Sequence, residues 1–274
     1  MPVGICPMCQ EEKKLCMSHL LSKKIYPLCR NDEFEPVAVN SQMMRPTVKQ
    51  TKAYLLCETC EGNLSKNGER ITVPLLSKVD GPFPLYERLI KQQPIQITES
   101  MSVYAGANNL EIDVPKLVHF AMGIFWKASV HSFGSGSDRP RIDLGQDGEA
   151  LRLFLRGEAP LPDHIALAIA VESGPTRFPA MIDPFPGYNL DFKNFFFYVP
   201  GMQMQMYIGD KVWESPSAKY CINVNTEAPI LLVPLAKDMR GFMAKHSANA
   251  YKTEKLLKTT AEIEARGLSV KLGD

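Results

Sequence analysis

The residues best suited to chemistry lie close to the start of the chain. Two Cys-x-x-Cys pairs, Cys6 and Cys9 in "CPMC" and Cys57 and Cys60 in "CETC", bracket a long insert. Zinc binds four thiolates or imidazoles tetrahedrally, and each of two such knuckles can supply a pair of ligands. The pattern predicts one zinc site split across the N-terminal third, with Cys6, Cys9, Cys57 and Cys60 as ligands. A competing quartet, Cys6, Cys9, Cys16 and His19, can be drawn from "CPMCQEEKKLCMSH". It would orphan Cys57 and Cys60 only three residues apart, so the split site is the more economical assignment. Cys16, Cys29 and Cys221 are then expected to be buried thiols.

His19, in "MSHLLSKKIY", is the histidine that stands apart. It falls between the knuckles, where a hairpin would set it beside the helix carrying Cys60. His119, His131, His164 and His246 lie in segments where core or surface roles suffice. Lys13, Lys14, Lys23 and Lys24 are close enough in sequence to form a basic patch near His19.

These residues must be held by their surroundings. "AYLLC" suits a hairpin strand, and "ETCEGNLSK" the first turns of a helix. Residues 1–77 form the cysteine-bearing segment, and 78–94 a connector with one short amphipathic helix, Leu85 to Lys91. Residues 95–274 have an α+β texture. "IQITESMSVYAG" alternates in its first half, with "NNLEIDV" as a candidate partner strand across a turn at Gly106 to Asn109. Leu117 to Trp126 is apolar on nearly every side, which predicts a central buried helix. "DGEALRLFLRG" predicts a short helix stopped by Gly157, and "FGSGSDRPR" a loop. "HIALAIAVES", "KNFFFYVPGMQMQMYIGD", "KYCINVN" and "PILLVPL" read as strands, with "MQMQMY" alternating and the three phenylalanines in the core. Lys237 to Arg266 has near-helical apolar spacing, with Gly267 as its stop.

Composition limits the classes of function. The chain has 274 residues, 45% apolar and 22% charged, with a formal net charge of +1. A near-neutral balance supplies no global field toward nucleic acid or an anionic membrane. No apolar run reaches bilayer length. The N-terminus lacks the basic start and apolar core of an export signal, and six of the seven cysteines precede residue 61. Together these predict metal thiolates in a cytoplasmic setting rather than disulfides.

"CPMC", "SHLLSKKIY" and "LLCETCEGNLSKNGE" together resemble the bacterial HNH-type, treble-clef nucleases and their largely uncharacterised relatives, and "FWKAS" at 125–129 is similar to their middle region. The resemblance implies an α+β protein: an N-terminal zinc-bound treble-clef (ββα-like) module, followed by a mixed α+β region with antiparallel strands. It implies His19 as the base that activates water against a phosphodiester, and Glu69 as ligand for Mg²⁺ or another divalent ion. DNA is the implied partner. Two positions depart from the family pattern: Glu61 stands where many members carry Asn, with Asn63 two residues on, and Ser18 stands where an acidic or histidine ligand is common. Gly62 and Gly68 weaken the helix that must hold Glu69. The other reading of the same residues is a non-catalytic zinc module that binds nucleic acid or a protein partner. A third places function in a ligand-sensing or partner-binding, β-rich region, 95–235, with the zinc module as an appendage.

Overall fold

The first cysteine pair sits in a turn between two short antiparallel strands, β1 (Val3–Ile5) and β2 (Glu12–His19). β5 (Lys52–Cys57) pairs antiparallel with β2 to complete a three-stranded sheet, β1-β2-β5. The second cysteine pair then straddles the end of β5 and the first turn of helix α1 (Glu58–Leu64). A π-helical turn, Ser65–Glu69, and a short helix α2, Arg70–Thr72, continue α1. The computed structural model describes residues 1–30, 50–78, 81–133, 142–174, 180–187, 192–223, 225–235, 238–239 and 241–242, plus the backbone of 37–39, 43–46 and 251–252.

The rest of the chain builds a larger mixed sheet. Its strands are β3 (Val37–Val39), β4 (Met43–Pro46), β6 (Gln96–Ile97), β7 (Ser102–Ala105), β8 (Ile165–Glu172), β9 (Ala180–Pro186), β10 (Lys193–Val199), β11 (Met202–Ile208), β12 (Pro229–Val233) and β13 (Tyr251–Lys252). They run in the order β13-β4-β3-β9-β10-β11-β8-β12-β7-β6. Most pairs are antiparallel, but β12 with β8, β3 with β9 and β13 with β4 are parallel. The fold is therefore mixed α+β, with a mixed rather than purely antiparallel main sheet.

Helix α4 (Val114–Val130) lies at the centre. Asp113 caps it by accepting from the Lys116 amide, and Pro115 follows in the first turn. Phe120 and Phe125 meet Phe197 of β10 edge-on, at 6.3 and 5.1 Å between ring centroids. On another side, Gly68 touches the α4 backbone: a Cβ there would lie 2.8 Å from the Phe120 Cα. Helix α5 (Asp147–Arg156) also packs on α4 and ends at Gly157, which takes the left-handed conformation (φ 74°) that favours glycine. One continuous apolar core includes Cys6, Leu56, Leu64, Leu85, Phe125 and Met204, and so joins the cysteine-bearing segment to the main sheet. Phe83, Leu85 and Leu89, around helix α3 (Pro84–Leu89), are buried in it.

The alternation of "MQMQMY" appears as Met202, Met204 and Met206 buried in the main core and Gln203 and Gln205 half-buried on the other face. Phe195 and Phe197 point to the α4 side, whereas Phe196 joins Leu235 and Met239 on the opposite side.

Several expectations change. "NNLEIDV" forms no strand: Asn109 accepts from the Glu111 amide in a turn that leads to the α4 cap, and β7 pairs with β6 and β12 instead. "KYCINVN" holds the end of a 3-10 turn (Ala218–Tyr220) and no strand among its described residues. There the Asn223 amide mimics a strand edge, donating to the Ile165 carbonyl at 2.6 Å and accepting from the Leu167 amide at 2.9 Å. The Ile222 amide also donates to the Leu167 carbonyl at 2.7 Å, so one backbone bond and one side chain together hold this edge of β8. Strand β9, unread in "AMIDPFP", pairs with β10. The C-terminal helix expected from Lys237 to Arg266 is not continuous, since Tyr251–Lys252 pairs with β4; most of that segment, His246 included, lies outside the described residues, as do all but Phe133 of "FGSGSDRPR".

Candidate metal centre and the His19 cluster

Cys6, Cys9, Cys57 and Cys60 converge, with all four sulfur atoms within 4.8 Å of one another. A tetrahedral ion with metal–sulfur bonds of about 2.3 Å needs sulfurs about 3.8 Å apart. Cys9 Sγ and Cys57 Sγ stand 3.9 Å apart. The donor set and spacing fit a thiolate-bound metal. With four sulfurs already present, no coordination position is left for substrate, which is the arrangement of a structural rather than a catalytic site.

Local backbone chemistry makes the first knuckle. The Gln10 amide donates to the Cys6 carbonyl at 2.7 Å, and the Cys6 amide to the Glu11 carbonyl at 2.9 Å. Closing this turn forces Gln10 to φ 61°, an uncommon region for a side-chain-bearing residue. The Cys57 amide donates to Cys6 Sγ at 3.4 Å, which ties the second knuckle to the first. Burial, followed by the neighbouring thiols, pushes the Cys60 thiol well above its ordinary pKa without a metal. Metal binding reverses that crowding and releases protons.

The rest of the chain grips the same knuckle. Arg152, 8% exposed, donates through Nη1 to the Met8 carbonyl at 2.7 Å, and Arg156 reaches the same oxygen at 3.2 Å. Both guanidinium groups come from α5, and each is also paired with a carboxylate, Arg152 with Glu149 and Arg156 with Glu158. Periodicity marks α5 as a helix but does not show what its arginines hold.

Cys16 and His19 are not part of the four-sulfur group. Cys29 and Cys221 are buried, and burial pushes Cys221 up to about 12 and Cys29 higher. Cys16 differs from expectation in being only half-buried, and desolvation still raises its thiol pKa ahead of the effect of Glu58 and Glu61.

His19 ends β2. Its Nε2 lies 2.7 Å from Gln50 Oε1. With the amide oxygen accepting, the ring proton sits on Nε2 and Nδ1 keeps its lone pair. Partial burial holds the His19 pKa below its ordinary value; the Gln50 bond opposes this, and Lys52 adds to it. The imidazole is therefore neutral at pH 7.

Neighbouring residues occupy distinct roles. Ser18 is fully buried; its hydroxyl donates to Glu61 Oε2 at 2.7 Å and accepts from the Leu56 amide at 3.2 Å. Ser18 thus ties β2 to both β5 and α1. Glu69 faces Lys127 of α4, with Nζ 3.5 Å from Oε1. Lys127 is 2% exposed and also donates to the His19 carbonyl at 2.7 Å. His19 and Glu69 are brought into one cluster, but by a lysine from far along the chain rather than by direct contact. Asn63 is elsewhere, lining a small cleft with Cys9 and Cys60.

Lys127 and Lys52 are the residues that sequence reasoning missed. "FWKAS" held Lys127 in view, yet an apolar helix gives no hint of which polar atoms its lysine will meet. Lys52 sits opposite His19 in the β2–β5 register. Lys13, expected in a basic patch, is instead paired with Glu11 at 2.9 Å.

Comparison with family models, with curated proteins and with solved structures finds no match to this chain. No helix among the described residues is long and apolar enough to cross a membrane.

Proposed function

We propose that this chain is a zinc-stabilised, HNH-like endonuclease: a treble-clef module whose four-cysteine zinc site fixes the fold, with His19 as the base that activates water against a phosphodiester of DNA. The observation that carries this reading is the state of His19. It is a neutral, half-buried imidazole, oriented through Nε2 by Gln50, with Nδ1 left as the proton acceptor. Lys127 holds the His19 backbone from behind, and Gln50 sets the plane of the ring. The zinc supplies folding energy by crosslinking the β1–β2 turn to the start of α1, and takes no part in proton transfer.

A divalent catalytic ion, which the HNH resemblance implies, fits these residues poorly. The four-cysteine group is the only set of three or more metal-ligating side chains found together among the described residues. Glu69 pairs with a buried ammonium, and Glu61 accepts from Ser18.

That same pairing of Glu69 with Lys127 favours a second reading, a non-catalytic zinc module that binds nucleic acid or a protein partner. The two separate in one assay: cleavage of plasmid, linear and single-stranded DNA with and without Mg²⁺ or Mn²⁺, by the wild type and by a folded, zinc-loaded His19→Ala variant. Cleavage that disappears with His19 supports the nuclease. No cleavage by either protein supports the binding module, and equal cleavage by both sinks the role of His19.

A further inference from the structure

The β2–β5 register places four residues on one face of the small sheet. Met17 is opposite Tyr54, and His19 is opposite Lys52. Side chains two apart on a strand share a face, so Met17 and His19 line up beside Tyr54 and Lys52. Ser18, one residue out of phase, turns inward to Glu61. Two of the four are large side chains left in water: Tyr54 is 46% exposed and Met17 37%. Lys52 is exposed as well, and its charge acts on the His19 ring.

An exposed aromatic ring on a sheet face, with a cation two residues along the strand, is a combination that proteins use for unpaired nucleotides: the ring stacks on a base and the cation takes a phosphate. Duplex bases are already stacked on one another and cannot offer a face to Tyr54. We propose that this strip is a docking track for an unpaired nucleic-acid strand, with a base stacked on Tyr54 and Met17 and a phosphate held by Lys52 beside His19. The proposal rests on the nuclease reading for the meaning of His19, and narrows its substrate class from DNA in general to unpaired segments. Continuity with His19 singles out this face: a phosphate on Lys52 brings its neighbouring phosphodiester toward the imidazole.

The test is binding, measured without turnover. Fluorescence anisotropy would follow a labelled oligothymidylate, and its duplex with oligoadenylate, on the His19→Ala protein and without added divalent ions. Tyr54→Ala, Tyr54→Phe and Lys52→Ala would be added singly to that background. Both Tyr54 and Lys52 are surface groups, so circular dichroism and bound zinc should match the parent. The expected result is preference for the unpaired strand and a loss of about 10-fold in affinity with Tyr54→Ala. Tyr54→Phe, which keeps the ring, should bind like the parent, and Lys52→Ala should flatten the salt dependence. Equal or tighter duplex binding, an unchanged Tyr54→Ala protein, or no binding at all would overturn the track. If the strand binds as expected while the wild type cleaves nothing, the track stands and the nuclease reading falls; cleavage that ignores Tyr54 and Lys52 gives the reverse.

Discussion

Lys127 Nζ donates to the His19 carbonyl at 2.7 Å and stands 3.5 Å from the Glu69 carboxylate. An ammonium that is 2% exposed survives burial only if paired and hydrogen-bonded. Here one partner comes from β2 and the other from the helical segment after the second knuckle. A single charge from α4 thus fixes where the end of β2 lies relative to the helix that follows the cysteines.

Lys127→Met tests that role. Methionine keeps an unbranched stem but leaves the His19 carbonyl without its donor and Glu69 without its partner. The expected loss is about 2–4 kcal/mol in urea unfolding, from an unmet buried acceptor and a broken ion pair. Adding Glu69→Gln should restore part of it, because the carboxylate then no longer lacks a counter-charge. Strict additivity of the two substitutions would show that Lys127 and Glu69 do not interact.

The pH dependence should follow His19. Its folded pKa lies below the ordinary 6.5, chiefly through burial. A base works when unprotonated, so the acidic limb of any cleavage profile should fall below pH 6.5 rather than at it. The stability consequence has the same sign. As pH drops from neutral toward the folded pKa, the unfolded chain takes up a proton that the folded chain refuses, so stability falls. His19→Gln should reduce that slope. A limb at or above the ordinary imidazole value would mean that another group controls the rate.

The short-range chemistry was legible in the sequence, and the long-range pairing was not. Two Cys-x-x-Cys pairs imply one metal site because four thiolates satisfy one tetrahedral ion, and the 3.9 Å approach of Cys9 to Cys57 has that cause. The buried character of α4 and the stop at Gly157 likewise follow from side-chain type. "KYCINVN" has the apolar alternation of a strand, but after one backbone bond from Ile222 to Leu167 the Asn223 side chain takes over the contact with β8. "AMIDPFP" carries two prolines, which argue against a strand until β10 is seen to supply its partner. Arg152, Lys52 and Lys127 act across the chain, where no spacing rule reaches.

Metal removal should act on the N-terminal hairpin first. Thiolate–zinc binding in small modules is worth on the order of 10 kcal/mol, far more than a short three-stranded sheet supplies. The purified protein should carry one zinc per chain by elemental analysis. Chelation should expose β1, β2 and α1 to hydrogen exchange, with β8, β10 and β11 still protected. Cys57→Ser and Cys60→Ser should each reproduce that pattern. A metal-free protein with the same exchange as the parent would show that the cysteines do not hold the fold.

Gly62 and Gly68 should respond in opposite directions to alanine. Both lie in the helical run after Cys60, where glycine costs about 1 kcal/mol relative to alanine. At Gly62 a Cβ meets nothing within 4 Å, so Gly62→Ala should raise stability by about 0.5–1 kcal/mol. At Gly68 a Cβ would sit 2.8 Å from the Phe120 Cα and 2.9 Å from its nitrogen, and neither backbone can yield without moving a helix. Overpacking of that kind costs about 1–3 kcal/mol, which outweighs the propensity gain. Gly68→Ala should therefore lower the urea midpoint and weaken the Lys127 to Glu69 contact one residue on. Equal stabilisation by both substitutions would mean that the helix does not approach α4 as closely as 2.8 Å implies.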